Sequence, residues 1–149
     1  MDFEDFHIAK IGKHTFILEE CKNFPKGLSE REDLLENEGM LFDFKESGPV
    51  SFHMKGCLIP LDIIFIKDGK IEKIYHNCNP CELNECEKFE HESADTVVEL
   101  KGGTCKKNMI NEGLIYRLMW ETFSPVDFII NVCHQKKRLK FSPRENTYY

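Results

Sequence analysis

The stretch Leu61–His76, LDIIFIKDGKIEKIYH, decides the fold. Two apolar-rich runs, LDIIFI and KIEKIYH, flank Lys67-Asp68-Gly69, and Asp-Gly is the turn pair whose backbone matches the twist of a two-stranded hairpin. The stretch therefore reads as two antiparallel strands. Alternation in the second run is imperfect. Ile71, Lys73 and Tyr75 share one face of a regular strand while Glu72, Ile74 and His76 share the other, so both faces are expected to be partly covered.

The same punctuation extends in both directions. FHIAKI and HTFILEE flank Gly12-Lys13 and read as a first hairpin. FPKGLSEREDLLEN is polar, contains Pro25 and Gly27, and is expected to form a short helix and turns. GMLFDF reads as a strand, and VSFHMK as another, separated from it by the turn signal Ser47-Gly48-Pro49. Residues 77–94 read as a long loop, a length that usually signals function or some tether. TVVELK is a strand, GGTCKKNMINEG a short helix, and LIYRLMW and FIINVCH two late strands. The expected fold is mainly β (α+β): a compact antiparallel β-sandwich or partly closed barrel with one or two short helices. No linker divides the chain. Residues 1–120 read as one β-rich domain, and residues 121–149 as a C-terminal extension with a basic end.

Composition narrows the function. The 149 residues suffice for one domain with its own core. No apolar run is long enough to span a bilayer, and MDFEDFHIAK lacks the features of a secretory signal, so the expected location is the cytoplasm. The net charge of −6 is uneven. Lys136, Lys137, Arg138, Lys140 and Arg144 against Glu145 give +4 over residues 131–149, leaving −10 on the rest. An acidic body does not suit a phosphate backbone, so no nucleic-acid partner is expected for it. The seven cysteines are read as free thiols, because a reducing cytosol disfavours structural disulfides.

Four segments occur together in order: KGLSEREDLLENEGMLFDF, SFHMKGCLIPLDIIFIKDGKI, PCELNEC and TVVELKGGT. They carry Gly39-Met40-Leu41-Phe42, Met54-Lys55, Ile59-Pro60-Leu61-Asp62, and Pro80-Cys81 followed by Cys86. Over roughly residues 5–118 the chain resembles the bacterial and archaeal family called domain of unknown function 192. The resemblance implies a compact β-rich domain and carries no settled activity to transfer. Four positions depart from the family pattern: His53 stands where an aromatic residue is usual, Gly56-Cys57 where Asn-Thr is usual, and Ser29 where a Met precedes the retained Arg31.

Candidate chemistry centres on two places. Lys55 and Asp62 are expected to approach each other near the 78–91 loop, with Arg31 able to join them as a forked anion clamp and His53 adding a titratable group. An ordinary ion pair fixing the connection is the simpler account of Lys55 and Asp62. CNPCELNECEKFEH has the spacing C-x2-C-x4-C-x4-H through Cys78, Cys81, Cys86 and His91. Zinc ligation, a redox dithiol and a plain packed loop all fit that pattern. The family loop accounts for Cys81 and Cys86 without Cys78 or His91, so no metal is assigned. Paired carboxylates such as those in ESADTVVEL are expected to be mostly solvated. No phosphate loop, nucleophile elbow or other catalytic constellation is present.

The sequence thus points to a binding module for an unknown small ligand or protein. Its expected polar pocket comprises Lys55, Asp62, Arg31, His53, Cys81 and Cys86, with no cofactor. The alternative is a structural or interaction protein that docks into a larger assembly through residues 121–149. A zinc- or thiol-dependent activity of the 78–91 loop is the third reading.

Overall fold

The computed structural model describes residues 6–119. The C-terminal extension, including the expected strand FIINVCH, lies outside them. Seven strands form one curled sheet: β1 (Phe6–Ile11), β2 (His14–Glu20), β3 (Glu38–Phe52), β4 (Leu61–Lys67), β5 (Lys70–Cys78), β6 (Phe89–Lys101) and β7 (Tyr116–Leu118). A single-turn helix, α1 (Thr104–Lys107), precedes β7. The order across the sheet is β5-β4-β6-β3-β2-β1-β7. All pairings are antiparallel except β2 with β3.

The decisive hairpin forms as expected. Asp68 and Gly69 both have positive φ, 49° and 74°, as the twist-matched two-residue turn requires. The Asp68 amide donates to Asp95 Oδ2 at 2.8 Å, which pins the turn to β6. The broken alternation in β5 has a structural cause. The register slips between Phe65 and Ile66, so Phe65 faces Lys73 while Ile66 faces Ile71. The extra residue, Glu72, is a bulge, and it returns Ile71 and Ile74 to the same core.

The sheet curls until its edges meet. Lys70 forms a bridge with Ile115, and the Ile71 and Tyr116 amides donate across the seam to Leu114 and Gly69 carbonyls at 2.9 Å each. The product is a half-barrel, the partly closed option. One face buries Ala9, Ile11, Phe16, Leu18, Leu41, Ile64, Ile66, Val98 and Leu100. Alternate residues of the same central strands, Met40, Phe42, Ile63, Phe65 and Val97, turn to the opposite face. Leu28, Leu34, Met54 and Cys57, from the loops at 21–37 and 53–60, cover that second face. Gly39 is where two strands come closest: a Cβ there would sit 2.4 Å from the Glu99 carbonyl oxygen.

Three expectations are corrected. Residues 24–37 form turns and no helix, consistent with a segment broken by Pro25 and Gly27. Ser47-Gly48-Pro49 does not separate two strands. β3 runs through it, and the signal marks register irregularities against β6 between Asp43 and Val50, where a proline lacking an N–H is tolerated. The long loop shrinks to residues 79–88, because β5 extends to Cys78 and β6 begins at Phe89.

Candidate functional site

The irregular middle of β3 bends it away from a flat course and brings Phe44 and Phe52 beside Phe42. With Phe24 from the 21–31 loop they form an edge-to-face array. Ring centroids lie 5.7 Å apart for Phe24–Phe42, 4.9 Å for Phe24–Phe44 and 4.9 Å for Phe42–Phe52. These four rings line a cleft of about 340 Å³, at the small end of ligand-sized cavities. Lys26, Gly27 and Ser29 form one side of it, and His53, Lys55 and Cys57 another.

The cleft walls are tethered. Within the loop, the Gly27 and Ser29 amides donate to Asn23 and Lys26 carbonyls at 3.1 and 2.9 Å, and the Glu30 amide donates to Gly56 across the cleft at 2.7 Å. Arg31 Nη2 donates to Glu19 Oε2 at 2.8 Å. Arg31 is therefore no free anion clamp. Its guanidinium neutralises a buried carboxylate on β2 and anchors the loop over the sheet. On the other side, the Lys55 amide donates to His53 Nδ1 at 3.1 Å. Lys55 also bridges to Cys81, whose amide donates to the Met54 carbonyl at 3.2 Å.

Two buried acids on neighbouring strands differ sharply. Asp62, on β4, is 0% exposed and fully engaged. Its Oδ1 accepts the Asn77 and Gly103 amides at 2.7 and 3.1 Å, and Oδ2 accepts the Cys105 amide at 2.8 Å. It holds β5 and the start of α1 on the face of the sheet occupied by Ile64 and Cys105. Lys55 lines the cleft on the opposite face. The proposed approach of Lys55 and Asp62 is thus corrected. Alternation along β4 sends Asp62 away from the cleft, and three backbone donors satisfy it without a lysine.

Glu99, on β6, is 4% exposed and turned to the cleft side, in register with Met40 and Ile63. Among the described residues no donor or cation reaches its carboxyl. A Cβ built on Gly27 would lie 3.7 Å from Glu99 Oε1, so the loop passes directly over the acid. Burial raises the carboxyl to about 8, keeping it protonated at neutral pH. Burial, with Glu99 adding to it, also pushes the Cys57 thiol up to about 12. The expectation that the carboxylates of ESADTVVEL are mostly solvated misses this residue. The available signal was an acid inside the strand TVVELK, between apolar neighbours on both sides.

The cysteine loop is resolved differently from the free-thiol expectation. Cys81 and Cys86 are joined in a disulfide with Cα atoms 6.0 Å apart. The five-residue separation lets the tight loop bring the two Cα atoms within bonding range. Cys78 is a buried free thiol, pushed up to about 12 by burial and the nearby Asp62 charge. His91 Nε2 lies 3.9 Å from Glu72 Oε1, and its ring lies 5.9 Å from the Phe65 ring. Cys78, Cys81, Cys86 and His91 do not converge, and no cluster suited to a metal occurs among the described residues. No helix among those residues is long and apolar enough to cross a membrane.

Fold and cleft together define a small half-barrel β domain with an aromatic cleft over a buried acid. The chain belongs to the domain of unknown function 192 family, described as an uncharacterized ACR, whose model matches residues 12–117. Two solved structures are similar to it. One is a candidate transcription regulator from Sinorhizobium meliloti 1021, at 29% identity and TM-score 0.69, covering 76% of this chain and 93% of that one. The other is a protein of unknown function from Novosphingobium aromaticivorans DSM 12444, at 26% identity and TM-score 0.69, covering 75% of this chain and 84% of that one. No curated protein matches the chain.

Proposed function

We propose that this protein is a small-molecule-binding module whose site is the cleft between the 21–31 loop and the bent part of β3. Glu99 is the polar anchor at its base, the four phenyl rings are its walls, and His53 and Lys55 stand at its rim. The observation that carries the reading is the unpartnered Glu99 carboxyl. Burial without a charge partner disfavours the ionised carboxyl, and Asp62 shows that this fold can satisfy a buried acid with backbone donors when it only needs to hold the scaffold. A buried acid with no charge partner among the described residues, lining a ligand-sized cleft, fits a group reserved for an incoming partner. His53 and Lys55 from the sequence-derived pocket remain in the site. Arg31 and Cys81 act one step back, by fixing the two walls. Asp62 belongs to the scaffold. The acidic chain does not favour direct contact with nucleic acid.

The test is fragment screening by two-dimensional NMR on the full-length protein. Hits should perturb the amides of Gly27, Leu28, Phe52 and Lys55 and the ring resonances of Phe42. Hits confined to the 79–88 loop or the β5–β7 seam, with the cleft silent, overturn the assignment.

A further inference from the structure

Resting on that cleft reading, we infer that the ligand is a small organic monoamine with an apolar body, its ammonium seated on Glu99 and its body lying among Phe24, Phe42, Phe44 and Phe52. The cleft is polarised. Its floor holds one acid with no cation of its own among the described residues, and its rim carries Lys26 and Lys55. A cation entering such a site gains twice. It supplies the charged partner Glu99 lacks, and phenyl rings attract cations through their quadrupoles. A desolvated ammonium–carboxylate pair enclosed by rings is also screened little by salt. An anionic headgroup gains neither: the protonated Glu99 offers it a single O–H donor, and the ring faces repel negative charge. Lys55 at the rim selects further: it repels a second positive charge at the far end of the ligand, which disfavours polyamines, and suits a neutral or anionic tail.

Binding is coupled to a proton. In the empty cleft Glu99 holds its proton at neutral pH because no charge partner offsets its desolvation. When the ammonium arrives, the O–H bond of Glu99 breaks, the proton leaves to buffer, and the carboxylate pairs with the ammonium, whose own protons stay in place. Charge on the pair is balanced, and one proton is released per ligand bound to the protonated form. The other ionisable groups around Glu99 are Glu19 from β2, Cys21 just after it, Cys78 from β5, Cys57, Lys55 and His53 from the segment after β3, and Lys26 from the loop. Glu19 is already neutralised by Arg31, and burial holds Cys21, Cys57 and Cys78 protonated at about 11 to 12. His53 is the group to control for.

The experiment compares 2-phenylethylamine with its neutral isostere 2-phenylethanol by isothermal titration calorimetry and NMR on the full-length protein. The amine is expected to bind at least tenfold more tightly than the alcohol at pH 8, and Glu99→Gln should reduce that preference to twofold or less. Should Glu99→Gln fail to fold, the wild type decides alone. Amine affinity should rise at least tenfold from pH 6 to pH 8, with proton release seen as buffer-dependent heat. The rise should persist in His53→Gln, and the alcohol should show neither effect. If both probes shift cleft resonances with equal affinity and no proton release, the cleft is a binding site but the amine inference is wrong. If neither probe shifts them, the cleft reading and the inference fall together.

Discussion

Glu99 should make this protein lose stability as the pH rises through neutrality, and replacing it should remove that loss. The carboxyl ordinarily titrates at 4.5 and in the native cleft at about 8. Below pH 4.5 it is protonated in both folded and unfolded chains and contributes no pH dependence. Between 4.5 and 8 the unfolded chain gives up its proton while the native protein keeps it. The native state then binds more protons, so stability falls with increasing pH and levels off above 8. At ~1.4 kcal/mol per pH unit, that interval gives a ceiling of about 5 kcal/mol, and water entering the open cleft lowers it to about half. Gln has nearly the same volume and no titration in this range. Guanidinium unfolding followed by far-ultraviolet circular dichroism at pH 5, 7 and 9 should show the wild type losing roughly 2–4 kcal/mol more than Glu99→Gln across the range, from the same linkage. Above pH 8 the variant should be the more stable protein, as expected where a functional group is held at the expense of stability. Parallel profiles for the two proteins would refute the claim that Glu99 is buried without a partner.

Asp62→Ala should destabilise by about 4 kcal/mol, because it strands the Gly103 and Cys105 amides, while the exposed Asn77 amide can turn to water; chemical unfolding at pH 7 checks this, and a loss under about 1 kcal/mol would contradict the bonding described. Gly39→Ala should cost ~3 kcal/mol or more, since its methyl would sit 2.4 Å from the Glu99 carbonyl oxygen and 2.6 Å from Leu100 Cδ2; a melting temperature equal to wild type would show that β3 and β6 do not approach so closely. Arg31→Ala should cost about 3 kcal/mol by leaving the Glu19 charge buried and unpaired, and hydrogen exchange should show the 23–31 loop opening before the sheet. In alkylation with peptide mapping, Cys21, Cys57, Cys78 and Cys105 should stay unmodified in the native protein, while mild reduction exposes Cys81 and Cys86 to labelling first. Early labelling of Cys78 would contradict its buried position.

Local patterns were sufficient for the parts of this protein governed by neighbours in the chain. Asp68-Gly69 and Gly12-Lys13 dictate hairpins because the φ values a tight turn needs are accessible to few residues. The apolar runs around them dictate strands, and together they make a mainly β, partly closed fold legible without coordinates. Of the residues that line the cleft, Lys55 and His53 lie in the segment SFHMK that the sequence already singles out. The rest depended on which face each strand turned. Asp62 looked like a partner for Lys55 because the two are seven positions apart, yet alternation along β4 puts Asp62 against α1 and Lys55 on the other side of the sheet. The register irregularities in β3 and the bulge at Glu72 each alter that alternation, and a Gly-Pro signal reads the same for a bulge as for a turn. Arg31 found its partner in Glu19, on a strand twelve residues earlier, and the cysteine pairing waited on how tightly the 79–88 loop closes. Glu99 was the least legible of all. An acid in a strand is solvated or buried according to what covers its face, and here the cover is a loop some seventy residues away, brought over the acid only when β3 pairs with β6.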